Sequence, residues 1–320
     1  MNWFGAEIDG PIIVARAIHF TASAMIAGGL VFRSTVADPA LRSEPKASGI
    51  VESQIRRMVW ICLPIAVLSG LAWVLVLTMS LSDEGLGEAV TSGALRDVLG
   101  LTQFGWMSQI RFALAVGLAV SLVFDRSAPW RWLALGLAVG LMASMAWTGH
   151  AASTAHALGY LQLAADTLHL CAAAAWIGGL IPLALLLHAA RRYDVLGWAA
   201  LERDAISRFS SLGIACVAAL ILSGLINSWI LVGSFRGLIL TAYGWVLMLK
   251  LIVFAVMVAL AAVNRLSLMP EMALPSGSER RRQARRRLTR NTVIEIALGV
   301  LVFAIVGLLG TLHPAAHLVN

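Results

Sequence analysis

The 320-residue chain is 59% hydrophobic and only 13% charged, with a mean hydropathy of +0.84. A soluble domain carries roughly twice that charged fraction, so a soluble fold is excluded and a polytopic membrane protein is indicated. The net charge of +7 does not point to nucleic acid: much of it lies in one run, RRRQARRRLTR at 280–290, between two apolar segments, as expected of a basic cytoplasmic loop.

A bilayer core needs about 20 apolar residues per helix. Eight segments meet that requirement, at about 11–33, 58–80, 104–124, 131–148, 160–188, 209–232, 242–264 and 291–312. They predict an all-α membrane domain over the whole chain, 1–320. Glu7 and Asp9 precede the first span without a basic stretch, so no cleavable signal peptide is expected. The loops separate by charge. Loop 34–57 holds Arg42, Lys46, Arg56 and Arg57, and the turn at 125–131 holds Arg126 and Arg131. Loop 189–208 holds Arg191, Arg192, Arg203 and Arg208, and loop 265–290 holds the arginine run. They alternate with loops 81–103, 149–159 and 233–241, which with both termini are poor in Lys and Arg. The positive-inside rule then places both termini on the periplasmic side. Cys62, Cys171 and Cys216 all fall within apolar spans and form no CxxC, so they read as small apolar fillers.

The chain repeats itself. HFTASAMIAGGL begins at His19 and HLCAAAAWIGGL at His169. LTQFGWMSQIR (101–111) leads into span three and LTAYGWVLMLK (240–250) into span seven. LSGL occurs at 68–71 and again at 222–225, and TGHAA (148–152) is echoed by TLHPAA (311–316). The four pairs come in order. They predict two copies of a four-helix unit, about 11–156 and 160–317, inserted in the same direction about a pseudo-twofold along the membrane normal. The repeat relates His19 to His169, His150 to His313, and Arg111 to Lys250, with His156 and His317 as looser counterparts.

Six of the seven histidines fall in the outer half of this arrangement. His19 and His169 lie eight or nine residues inside their spans, roughly 12–14 Å deep at 1.5 Å per residue, while His150, His156, His313 and His317 lie at the outer rim. A lone intramembrane histidine serves well as a neutral helix-to-helix hydrogen bond. Four repeat-related ones on one side point instead to metal, for which neutral imidazole is the commonest protein ligand. No acidic residue recurs at these positions, which disfavours magnesium or calcium. Met142 and Met145, one turn apart before His150, are either core filler or thioether ligands that would tilt the site toward Cu(I). Arg111 and Lys250 either snorkel to the headgroups or supply a fixed charge at the site. Asp166, one turn before His169, and Glu295 near the inner end of span eight are the candidate acids, and Asn227 is a candidate hydrogen-bonding partner. The Gly28–Gly29 and Gly178–Gly179 pairs allow close helix approach. Because ligation needs deprotonated imidazole, metal affinity is expected to fall below about pH 6.5.

These residues, together with DTLHLCAAAAWIGGL (166–180), RFSSLG (208–213), YGWVLMLK (243–250) and NRLSLMP (264–270), resemble the copper resistance D family of bacterial inner-membrane proteins. The likeness covers nearly the whole chain. It implies copper movement across, or handling at, the cytoplasmic membrane, beside a periplasmic copper-binding partner of the copper resistance C type. Nothing soluble precedes span one or follows span eight, so that partner is expected to be a separate protein. The expected function is copper transport: the rim histidines receive copper, as Cu(I) or Cu(II), and His19 and His169 take it into the bundle. No GxxxxGK[ST] motif is present, so movement is expected to be passive or ion-coupled, and the chain reads as a carrier, not an enzyme. Two rivals stand beside it. A haem b protein would use His19 and His169 as axial ligands, with Arg111 and Lys250 on the propionates. A scaffold would use the histidines only to join helices.

Overall fold

A computed structural model describes residues 2–3, 6–7, 9–42, 47–148, 157–192, 198–275 and 277–317. Among the described residues eight helices are long and apolar enough to cross a membrane. They are α1 (Gly10–Leu41), α2 (Ser48–Ser82), α3 (Gln103–Val123), α4 (Ala128–Thr148), α5 (Leu158–Arg192), α6 (Trp198–Val232), α7 (Ala242–Met272) and α8 (Glu279–Leu309). Among the described residues the strand content is one two-residue antiparallel pair, Asn2–Trp3 with Ala6–Glu7. The chain is an all-α polytopic membrane protein with eight spanning helices.

The helices begin where the sequence supplies caps. Asp9 accepts from the Ile12 amide at 3.2 Å, and Pro11 follows in the first turn of α1. Thr102 and Thr241 cap α3 and α7, accepting from the Gly105 and Gly244 amides at 3.0 Å each. This gives the LTxxG pattern its reason. The threonine caps the helix, and the glycine lets the preceding short helix lie close. A Cβ on Gly105 or Gly244 would come within 2.6 Å of a backbone oxygen of Leu99 or Gly237.

Several helices outrun the apolar spans. α2 and α6 have 35 residues each, about 52 Å at 1.5 Å per residue, against a hydrocarbon core of about 30 Å. The segment 265–290, expected as a loop, is mostly helix: α7 continues to Met272, and α8 begins at Glu279 and carries the arginine run. Arg, Gln, Ala and Leu are good helix formers, and Ser278 caps the start by accepting from the Arg281 amide at 3.2 Å. Charge decides where a chain leaves the bilayer, not where its helix stops.

α1 and α5 form the centre. Their apolar windows are 67% and 78% buried, against 22–39% for the other six helices. α1 packs against α2, α4, α5 and α8, and α5 packs against α6. α1 and α5 cross at Gly28 and Gly178. A Cβ on Gly28 would lie 2.6 Å from Gly178 Cα, and one on Gly178 would lie 3.1 Å from Gly28 Cα. Among the described residues three π-helical turns interrupt the helices, at Arg33–Ala37, Ala174–Gly178 and Asn264–Leu268; the middle one supplies the crossing point on α5. The basic helix ends are tied by ion pairs. Arg33 meets Asp125 at 2.8 Å with Arg56 at 3.8 Å, and Glu202 meets Arg281 at 3.5 Å and Arg285 at 3.9 Å.

Candidate functional site

Two polar pockets lie within the apolar bundle, each built around one intramembrane histidine. His19 projects from α1 onto α2 and is 4% exposed. Its Nδ1 lies 2.8 Å from the Ala66 carbonyl oxygen and 3.4 Å from Ser69 Oγ. A carbonyl only accepts, so Nδ1 carries the proton and Nε2 keeps its lone pair. Nε2 is buried and has no partner. The ring rests on Gly70, where a Cβ would lie 3.0 Å from Cε1, and meets Trp73 edge-on with centroids 5.9 Å apart.

His169 sits on α5 in a matching way. Its Nδ1 is 3.0 Å from Ser223 Oγ on α6. That hydroxyl donates to the Ala219 carbonyl at 2.6 Å, so the histidine Nδ1–H donates to it and Nε2 again carries the lone pair. The ring lies against Gly224, with 3.6 Å from its Cε1 to a built Cβ. Lys250 Nζ approaches Nε2 at 3.4 Å as the donor. No hydrogen bond, ring contact or charge interaction joins the two histidines among the described residues.

The pockets differ in charge. One turn before His19 stands Arg16; one turn before His169 stands Asp166. Arg16 places its guanidinium 4.9 Å from the Trp73 ring centroid, and its Nε is buried without a partner. Arg111 covers Trp73 at 5.5 Å. It donates to Ser144 Oγ and the Ser144 carbonyl at 3.3 Å each, and to Thr148 Oγ1 at 3.0 Å. Both guanidiniums gain from the aromatic face, and Arg111 also gains from the carbonyl end of α4. In the other pocket, Asn227 Nδ2 donates to Asp166 Oδ1 at 3.4 Å, and Asn227 Oδ1 is buried without a partner. The His169 pocket therefore combines a lysine on the imidazole Nε2 with a carboxylate one helical turn away, whereas the His19 pocket leaves Nε2 without a partner and places two guanidiniums on the Trp73 ring that His19 meets.

The remaining candidate ligands fall elsewhere. Met142 and Met145 are buried in the apolar core at 0% and 2% exposure, on the helix end whose Ser144 and Thr148 hold Arg111. His150 and His156 lie outside the described residues. His313 is exposed after α8, and His317 ends a short 3-10 turn, Ala315–His317. Among the described residues, no group of three or more His, Cys, Asp or Glu side chains converges as a ready metal centre. Reading the sequence missed Arg16, Trp73 and the two serines. The signal was present: LSGL marks the repeat, and its serine and glycine are the residues that hold each histidine ring.

Residues 203–309 match the family model described as copper resistance protein D, and residues 7–160 match the one described as copper resistance protein D-like, N-terminal domain. The chain is 34% identical over 218 residues to copper resistance protein D of Pseudomonas syringae pv. tomato, covering 67% of this chain and 69% of that one. It is 29% identical over 304 residues to the inner membrane protein YebZ of Escherichia coli K12, 94% of this chain and 98% of that one. It is 32% identical over 246 residues to the copper transport protein CutJ of Bacillus subtilis 168, 73% of this chain and 42% of that one. No solved structure matches. With both family models matched in tandem and a relative one-third identical across two-thirds of its length, the chain belongs to the copper resistance protein D family.

Proposed function

We propose that this protein carries copper in the bacterial inner membrane, accepting the ion on the periplasmic face and passing it to His19 and His169 in two separate pockets. The observation that carries the reading is the Nδ1 bond of His19 to the Ala66 carbonyl, which leaves a buried Nε2 with its lone pair free. Ligand histidines are held in this way, with the second ring nitrogen fixed on a carbonyl or hydroxyl that sets the tautomer. His169 repeats the tautomer through Ser223, with Lys250 donating to its Nε2. The membership of the copper resistance protein D family and the printed names of two relatives supply the metal.

In this reading the two four-helix units insert in parallel, with both termini periplasmic. The outer rim, with His150, His156, His313 and His317, receives copper from a separate periplasmic carrier of the copper resistance C type. Met142 and Met145 assist as soft ligands for Cu(I). Copper at His169 displaces Lys250 from Nε2 and gains the Asp166 carboxylate, so this pocket holds the ion more firmly. Copper at His19 faces Arg16 and Arg111, so this pocket passes it on. Neither the surroundings of the two histidines nor the relatives' names support a haem.

The test is copper flux into proteoliposomes loaded with a Cu(I) chelator. His169→Ala should abolish most flux, and Asp166→Asn should weaken binding while leaving the fold intact. Wild-type flux no greater than that of empty vesicles would sink the transport reading.

A further inference from the structure

The pockets of the outer half leave open how a charged cargo crosses the rest of the membrane, and a buried carboxylate bears on this. Glu295 of α8 is 1% exposed. Its Oε1 accepts from Asn264 Nδ2 at 2.6 Å, and Asn264 Oδ1 accepts from Asn291 Nδ2 at 2.8 Å. No Lys, Arg or His pairs with it among the described residues. Glu295 also lines a cavity of about 410 Å³ between α5, α6, α7 and α8. Apolar residues such as Val217, Ile221 and Val258 line one end. The other end reaches Ser210, Arg265 and Thr292, beside the helix ends that carry the basic residues. Asn264 and Arg265 stand in the π-helical turn Asn264–Leu268, a local distortion that recurs at functional sites.

An ionised carboxylate in a lipid-bounded interior is stable only beside a counter-cation. Among the described residues no cation lies within ion-pairing distance of Glu295. Arg265 is the other charged residue of the cavity lining, and its Nη1 donates to Ser210 Oγ at 2.6 Å. Arg281 and Arg285, lower on α8, meet Glu202. With Arg265 turned to Ser210, a cation taken up from the cavity can balance the carboxylate. The available donors are oxygen and amide groups, which suit a proton far better than soft Cu(I).

We infer that Glu295 is a proton-exchange site: the cavity delivers a proton to its carboxylate and takes it back, and this exchange accompanies copper movement. In each cycle the side chain gains one proton, passing from charge −1 to neutral, and returns it. The Asn264–Asn291 pair holds Oε1, and the second carboxyl oxygen carries the proton. The inference rests on the transport reading for its coupling, while the exchange itself is readable without copper.

The experiment is infrared difference spectroscopy on the full chain in lipid across a pH step, copper-free, comparing wild type, Glu295→Gln and Asn264→Ala. The expected result is a protonated-carboxyl C=O band that Glu295→Gln loses and Asn264→Ala shifts, because Oε1 loses its donor. A band unchanged in both variants overturns the inference. A second arm measures proton movement during copper flux in proteoliposomes. Proton flux in wild type that Glu295→Gln loses, with outer-face copper binding retained, supports the coupling. Copper flux with no proton flux overturns it. If wild type moves no copper yet shows the Glu295 band, the transport reading falls and the exchange site stands.

Discussion

Gly70→Ala and Gly224→Ala are chemically the same change against two histidines, and the structure predicts a loss of affinity at the first and none at the second. An added Cβ at position 70 would sit 3.0 Å from Cε1 and 3.3 Å from Nδ1 of His19; at position 224 it would sit 3.6 Å from Cε1 and 3.9 Å from Nδ1 of His169. The first is too tight, so the ring must retreat from α2 by a few tenths of an ångström. Ala66 lies on the same helix one turn away, so this retreat stretches the 2.8 Å bond from Nδ1 to its carbonyl. Such a bond is worth about 0.5–1.5 kcal/mol, so Cu(I) affinity at His19 should fall by roughly two- to twelvefold, at 1.4 kcal/mol per decade. The second contact is ordinary and leaves His169 in place. Both substitutions gain roughly 1 kcal/mol of helix propensity, so thermal stability should not fall in step with affinity. Competition with a chromogenic Cu(I) chelator, read beside thermal unfolding in detergent, separates the two. Equal affinity losses, or a larger loss in Gly224→Ala, would refute the reasoning.

Other consequences follow from the same contacts. Ser223→Ala removes the hydroxyl 3.0 Å from His169 Nδ1 and leaves it the Leu220 carbonyl, whereas Ser69→Ala removes a contact at 3.4 Å and leaves His19 on the Ala66 carbonyl at 2.8 Å; full loss of an orienting partner costs roughly 10–100-fold in metal affinity, so the first should lower copper retention more, by less than that full amount. A reversed order in dialysis followed by elemental analysis would contradict this. Asp125→Ala removes the carboxylate that meets Arg33 and Arg56, with Arg33 and Asp125 side chains 10% and 7% exposed. Breaking a buried pair from one side costs about 3–5 kcal/mol. Arg208→Ala breaks an exposed pair with Asp204 and should change stability by less than about 1 kcal/mol; comparable losses in unfolding midpoint would count against the ion-pair account. Gly28→Ala or Gly178→Ala forces α1 and α5 apart and should destabilise by about 1–3 kcal/mol, whereas Gly136→Ala, which meets nothing within 4 Å, should not.

Much of this architecture was legible because bilayer chemistry is one-dimensional: the apolar runs fall on eight helices, and Gly28 and Gly178 meet at the crossing of α1 and α5. Helix ends were not legible. Hydropathy marks where lipid ends, and the arginine run of α8 continues as helix beyond it. The histidines were visible as costly residues in lipid, but their partners were not. Ser69 and Ser223 lie 50 and 54 residues from the rings they hold, and nothing local announces that contact. Arg16 falls in an apolar run with no repeat counterpart to mark it, yet it lies on the Trp73 ring that His19 meets. The Glu295 network likewise joins residues 27 and 31 positions apart across two helices.

The most direct test of the central claim is copper content with a visible spectrum on the purified full chain after Cu(I) loading, wild type beside His19→Ala/His169→Ala. The account predicts bound copper in wild type, its loss in the double variant, and no Soret band in either. Copper retained in full by the double variant, or iron with a Soret band in wild type, would contradict it.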